Sequence, residues 1–229
     1  MNTDETRWWW IRHAPVPDGG RIYGQRDLDC DCGDAGVFAG LAQALPRRAV
    51  WLTSNLARTQ QTMAAIRAAT AGDGADDPPI AVAALAEQHF GDWQGLDRAA
   101  FHASRGASRH RFWLAPAHER APGGESFADL VSRVAPAVER LTADFAGRDI
   151  IAVAHGGTIK AALALALRLD PEAALSFAID NCSLTRIDHL PPHAGIGRWR
   201  VAGVNQRPGV RVVSPQSNRG QDAIREPIG

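Results

Sequence analysis

The sequence predicts an α/β protein, a three-layer sandwich with a mainly parallel central sheet and helices on both faces. Three observations carry that expectation. Strand-like and helix-like segments alternate along residues 8–204. The run Ile150-Ile151-Ala152-Val153-Ala154 is apolar without alternation, as in a strand buried on both faces. The 229 residues suit one α/β domain rather than two small ones, and a chain of that length buries ~70–75% of its unfolded surface, enough for a core that needs no disulfide or metal.

Each element has a local reason. Trp8-Trp9-Trp10-Ile11 is bulky and β-compatible, and it runs into Arg12-His13 before Pro15, Pro17, Gly19 and Gly20 turn the chain. Asp34 caps a helix to about Leu45, Pro46 breaks it, and residues 49–53 read as a second strand. Residues 54–69 have helical spacing with Leu56, Met63 and Ile66 on the apolar face, and residues 72–79 form a loop. A short third strand, 80–85, delivers Glu87 and His89 just past its end. Residues 95–124 mix aromatics with arginines and histidines without clean periodicity, as in an excursion over the sheet. Ser126 and Asp129 form a capping box for an amphipathic helix from Phe127 to Phe145, with Pro136 as a potential kink. The strand 150–154 ends at His155-Gly156-Gly157-Thr158, a helix follows to about Leu169, and strands are expected at 175–179, 183–188 and 199–204. Residues 1–204 then form the domain, and 205–229, rich in Pro, Gly, Ser, Asn and Arg, form a loosely ordered tail.

Composition narrows the function. Lys+Arg and Asp+Glu are equal at 25 each, which argues against a general attraction to nucleic acid or an anionic membrane. Lys160 is the single lysine, so arginine, the better grip on tetrahedral and planar anions, supplies nearly all the positive charge. Three cysteines cannot pair completely, and Cys30 and Cys32 sit too close for a comfortable disulfide, which reads as a reducing compartment. Their spacing does not suit zinc, so neither a metal nor another cofactor is expected. The polar, acidic start is no signal peptide and the aliphatic run 161–167 is too short to span a bilayer, so the cytoplasm is expected. A homodimer is left open.

Three strands therefore end in ionisable residues: Arg12 and His13 after the first, Glu87 after the third, His155 after the central one. Ligands bind at the carboxyl ends of strands in open α/β sheets. Arg58, near the start of the helix after the second strand, adds charge where a helix dipole already favours an anion. Singly, each has an ordinary reading: a surface pair, a turn, a solvated arginine. Together they suit phosphate, with arginines to neutralise its oxygens, a histidine to attack phosphorus and a carboxylic acid to protonate the departing oxygen.

The motifs resemble those of the histidine phosphatase superfamily, the phosphoglycerate mutase-like and acid phosphatase-like group. Arg12-His13-Ala14 is similar to its Arg-His-Gly signature, with Ala14 in place of glycine, and Tyr23-Gly24-Gln25-Arg26-Asp27 to the Gly-Gln-x-Asp segment after it. Residues 53–62 resemble Ser-x-Leu-x-Arg-x-x-x-Thr, 87–95 resemble Glu-x-x-x-Gly-x-x-x-Gly, 122–126 are Pro-Gly-Gly-Glu-Ser, and 154–157 match the second histidine segment. The resemblance implies that His13, Glu87 and His155 are catalytic and that Arg12, Arg58, Arg21 and Gly156 bind phosphate, Arg21 replacing a missing asparagine. It implies a phosphomonoester hydrolase working through a phosphohistidine on a small-molecule phosphate ester. The loop after His13 is short and no basic insert resembling that of the mutases is found, which favours hydrolysis over a cofactor-dependent phosphoglycerate mutase. An α-ribazole-phosphate phosphatase is the alternative enzyme. A non-catalytic phospho-ligand binding module is the alternative class, and it would have no use for a proton donor such as Glu87.

Overall fold

Alternation along the first strand, Thr6–Arg12 (β1), fixes the layers. Trp8 and Trp10 point to one side and stack with ring centroids 4.7 Å apart and planes 8° from parallel. Trp9 and Ile11 point to the other side. The computed structural model describes residues 5–70, 78–190 and 198–208. Within them β1 pairs in parallel with Asp149–Ala154 (β4), in register from Arg7↔Asp149 to Arg12↔Ala154. Val50–Thr53 (β2) lies parallel on the far side of β4, and Ile80–Ala81 (β3) continues the parallel set. Leu184–His189 (β5) is antiparallel to β1, and Trp199–Gln206 (β6) antiparallel to β5. The sheet order is β3-β2-β4-β1-β5-β6, mostly parallel as expected.

Helices cover both faces. Ala35–Ala44 (α1) and Ala57–Ala69 (α2) place Phe38, Leu41, Met63 and Ile66 against Ile11, Trp51, Ile151 and Val153. Phe127–Asp144 (α4) and Gly156–Leu167 (α5) place Phe127, Leu130, Val134 and Leu163 against Trp8, Trp10, Leu52 and Ile150. A buried tryptophan removes ~150–250 Å² from water, at roughly 25 cal/mol per Å² about 4–6 kcal/mol gross, and Trp8 keeps its polar atom satisfied: its Nε1–H donates to Thr142 Oγ1 at 2.9 Å. Asp34 caps α1 through Gly36 and Val37, and the Ser126–Asp129 capping box opens α4, which runs on through Pro136. Since β1 feeds α1 on one face and β4 feeds α5 on the other, β1 and β4 straddle a topological switch point.

Four expectations need correction. Residues 175–179 form no strand: Pro171–Ala174 is a short helix (α6), and the carbonyls that follow serve side chains instead of a ladder, Leu175 O accepting from Lys160 and Ile179 O from Arg12. The stretch 80–85 is strand only at β3, then a 3₁₀ turn at Ala83–Leu85, because at this sheet edge Ile80 is exposed and only Leu85 is buried. The excursion contains a helix, Arg98–Ser104 (α3), capped by Asp97, and it packs its own cluster of Ile22, Phe90, Trp93, Phe101, Ala115 and Ala121. The last strand runs two residues beyond Val204, to Gln206, so the tail expected from Asn205 overlaps β6; residues 209–229 lie outside the described residues, as do 72–77 of the expected loop. Among the described residues no helix is long and apolar enough to cross a membrane.

Candidate active site

Strand register assembles the site. Beyond the Arg12↔Ala154 pair, the His13 N–H donates to Ala154 O at 3.0 Å, and the His13 and His155 rings lie 5.2 Å apart between centroids. On the other side of β4, Thr53 pairs with Val153, which sets Ser54 Oγ 2.8 Å from His155 Nε2. Ser54 Oγ also lies 3.1 Å from Thr59 Oγ1 and accepts from the Leu56 N–H.

Both imidazoles are buried, His13 being 1% and His155 0% exposed. His13 Nδ1 lies 2.7 Å from Ala14 O. A carbonyl only accepts, so Nδ1 carries the proton and Nε2 keeps the lone pair. Burial holds the His13 pKa well below the ordinary histidine value, and the charges of Arg58 and Arg12 push it the same way against the Ala14 hydrogen bond. His155 is lowered in the same manner, by burial first and then by Arg58, His13 and Arg12.

Arg58 is fully buried, with Nη2 donating to Gly24 O at 2.6 Å, Nη1 to Arg26 O at 2.9 Å, and its guanidinium 5.0 Å from the centre of the Tyr23 ring. Burial opposes its charge while Glu87, then Tyr23 and Asp27, support it. Arg12 Nη1 donates to Ile179 O at 2.7 Å. In both guanidiniums Nε is buried without a hydrogen-bond partner, and so is His155 Nδ1. An unsatisfied buried polar group costs ~1–3 kcal/mol, more when charged. Three such nitrogens, on residues that surround His13, suit an oxygen-rich anion.

The Glu87 carboxylate is held from behind. It accepts the Gly157 N–H at 3.1 and 3.3 Å and the Gln88 N–H at 3.0 Å. A Cβ on Gly157 would fall on that carboxylate, so the first turn of α5 must be bare there. The Glu87 carbonyl accepts from Gln25 Nε2 at 2.8 Å and Arg133 Nη2 at 3.2 Å, fixing the backbone as well. Arg12, Tyr23, Glu87 and Asn181 line a 440 Å³ cavity together with Phe112 and Trp113.

The structure thus brings together five expected residues: Arg12, His13, Arg58, Glu87 and His155. Gly156 opens α5 beside Arg12, a Cβ there standing 3.6 Å from Arg12 Nε. Arg21 does not join them. Its Nη1 donates to Gly95 O at 2.8 Å, its backbone bridges Asp97, and it sits exposed, because it staples the loop to the excursion. Sequence reasoning missed Ser54 as the partner of His155, Tyr23 under Arg58, and Asn181, whose Nδ2 donates to His13 O at 2.8 Å. Ser54 lies inside the segment 53–62, but Asn181 has no local signal. The excursion also brings cations to the site, although it contains no lysine. Arg98, Arg109 and Arg111 line the cavity; Arg98 is taken by Asp18 at 2.6 Å, while Arg109 and Arg111 have no carboxylate partner among the described residues.

An α/β switch point that gathers two histidines and two arginines suits a phosphate-handling site of the histidine type. The chain belongs to the histidine phosphatase superfamily (branch 1), whose model matches residues 8–202. It is 34% identical over 212 residues to a glucosyl-3-phosphoglycerate phosphatase of Mycolicibacterium vanbaalenii, covering 83% of this chain and 90% of that protein. It is 36% identical over 149 residues to a 2,3-bisphosphoglycerate-dependent phosphoglycerate mutase 2 of Gloeobacter violaceus, matching 62% of this chain and spanning only 64% of the relative's length. Among solved structures, a mycobacterial glucosyl-3-phosphoglycerate phosphatase superposes with a TM-score of 0.72 at 27% identity, over 88% of this chain and 99% of that one.

Proposed function

We infer that the protein is a phosphomonoester hydrolase that forms a phosphohistidine on His13, acts on a small-molecule phosphate ester and uses no metal. One observation carries this reading: Arg12, Arg58 and His155, which all act electrostatically on or lie against His13, each keep a buried nitrogen without a hydrogen-bond partner, and the His13 lone pair is on Nε2. The three donors match the three equatorial oxygens of a transferring phosphoryl group, where electrostatics and positioning do most of the work. Ser54 Oγ lies 2.8 Å from His155 Nε2, and this reading takes the tautomer in which the Ser54 O–H donates there and the N–H on Nδ1 serves a phosphate oxygen.

His13 Nε2 attacks phosphorus in line, the N–P bond forms as the ester P–O bond breaks, and Glu87 gives its proton to the departing oxygen. The Glu87 carboxylate then takes a proton from water, the water oxygen attacks phosphorus, the N–P bond breaks and inorganic phosphate leaves. A relative of which 90% is covered is a phosphatase, which agrees with hydrolysis. A mutase reading has one observation in its favour, Arg109 and Arg111 in the cavity wall, neither with a carboxylate partner among the described residues and Arg111 stacked on Phe112. The α-ribazole-phosphate alternative keeps the same chemistry and differs only in the leaving group. We place the enzyme in the cytoplasm, in line with its three free thiols.

Rapid quench with labelled substrate tests the reading. Wild-type protein is expected to yield an acid-labile phosphoenzyme, and His13→Ala to yield none while losing about 10³-fold or more in turnover with a native circular dichroism spectrum. Retention of more than a few per cent of turnover by His13→Ala would remove His13 from its role.

A further inference from the structure

A second chamber of 410 Å³, not used by the mechanism above, shares Arg12, Phe112 and Trp113 with the main cavity. Its lining adds Gly156 and Lys160, one helical turn apart on the same face of α5. Lys160 is the single lysine of the chain and is 5% exposed. Its Nζ donates to Leu175 O at 2.9 Å and stands 4.5 Å from the centroid of the Trp113 ring.

An ammonium has three N–H donors, and Leu175 takes one. No carboxylate pairs with Lys160 among the described residues. Asp180 lines the same chamber, but its ion pair is with Arg207, whose Nη2 donates to Oδ2 at 2.6 Å, and Asn205 Nδ2 donates to the same oxygen at 3.0 Å. Burying a cation without an ionic partner is costly, and here burial brings the pKa down to about 8, with Arg12 pushing the same way and Glu87 opposing. At neutral pH the group is still mostly charged. Tying α5 to the segment after α6 needs one donor of any kind; it does not require a cation beside a chamber that shares its Arg12 wall with the phosphate cradle.

We propose that Lys160, backed by Trp113, binds a carboxylate carried by the alcohol portion of the substrate, which makes Lys160 a specificity-determining residue. The proposal rests on the phosphomonoesterase reading and adds to it the class of leaving group: a hydroxy acid, with its second anion on the Lys160 side of Arg12 rather than beside Arg109 and Arg111.

Two substrates that differ only as carboxylate against hydroxymethyl, 3-phosphoglycerate and sn-glycerol 3-phosphate, test this with the full chain. Wild type is expected to prefer the carboxylate through KM. Lys160→Met should raise KM for 3-phosphoglycerate roughly ten- to a hundredfold more than for glycerol 3-phosphate, the scale of a lost charged hydrogen bond, and Lys160→Arg should restore part of the preference. A uniform loss on both substrates would reduce Lys160 to a structural tether. A preference that survives Lys160→Met but vanishes in Arg109→Ala/Arg111→Ala would move the carboxylate to the other cavity; either result overturns the proposal. A readout independent of turnover separates this from the hydrolase reading. Trinitrobenzenesulfonate labelling of Lys160, read by peptide mass, should be slowed by 3-phosphoglycerate and not by glycerol 3-phosphate; equal rates with both overturn the subsite even if hydrolysis is confirmed. Failure to hydrolyse p-nitrophenyl phosphate with protection intact would strike the hydrolase reading and leave the subsite standing.

Discussion

The rings of His13 and His155 lie 5.2 Å apart because Arg12 and Ala154 are partners in the β1–β4 register. A slip of one residue would turn either histidine to the opposite face. The same register makes a neutral pair: two imidazoles share one buried rim with Arg12 and Arg58, and each is held well below the ordinary histidine pKa. Neutrality is what a nucleophile attacking phosphorus would need; burial does most to keep the two rings neutral, and the nearby arginines push the same way.

Glu87→Gln is expected to damage turnover in proportion to the need for a proton. On an alkyl phosphate the loss should reach about 10²–10⁴-fold, and on p-nitrophenyl phosphate, whose leaving group is a stabilised anion, no more than ~10-fold. Gly157→Ala should show the same leaving-group dependence, since its methyl displaces the carboxylate. Steady-state kinetics on both esters decide it; equal losses would count against proton donation.

Stability should fall on acidification. His13 and His155 stay neutral in the folded protein well below pH 6.5, whereas unfolded histidines protonate near that value, so below it the unfolded chain binds more protons. Each histidine then contributes a loss of up to about 1.4 kcal/mol per pH unit as pH falls below 6.5. Urea midpoints between pH 7 and pH 5 should drop, and drop less with inorganic phosphate present, because a bound anion favours the protonated rings. A midpoint that is flat or rises toward pH 5 would contradict a neutral buried pair.

Chelation should leave activity intact, because the site meets an anion with arginine and histidine donors where a metallophosphatase would gather carboxylates around a cation. The check is turnover after exhaustive dialysis against EDTA; loss reversed by added magnesium or zinc would assign a metal to the reaction.

With 3-phosphoglycerate, and even after priming with the bisphosphate, inorganic phosphate release should exceed interconversion to 2-phosphoglycerate by about tenfold or more. A mutase must exclude water until the phosphoryl group returns, and the 440 Å³ cavity leaves room for water beside a small ester. Phosphate release and isomer ratio, followed together, distinguish the two. Efficient interconversion would mean that Arg109 and Arg111 retain the intermediate.

Much of this was legible locally. The residues that follow strand ends, Arg12-His13, Glu87 and His155, are readable because a strand end is marked by the change from apolar run to turn residues, and the caps at Asp34 and Ser126 are readable because capping is a contact over three residues. The strand expected at 175–179 failed for the complementary reason. Its alternating apolar residues have strand periodicity, yet both expected ladder acceptors that matter, Leu175 O and Ile179 O, are used by Lys160 and Arg12 from distant parts of the chain.

By itself the sequence determined the α/β class, the order of every strand from β1 to β6 and of helices α1, α2, α4 and α5 among them, the absence of net charge and a set of five ionisable residues suited to a phosphoryl group, since each of these depends on residue type and short-range spacing. Only the tertiary structure decided that Ser54 and not a carboxylate orients His155, that Asn181 supports His13, that Arg21 faces the excursion instead of the phosphate cradle, and that Lys160 stands beside Arg12. These depend on register between strands about 100 residues or more apart and on how an aperiodic excursion folds over their ends, and no periodicity along the chain encodes a contact whose partner lies in another element.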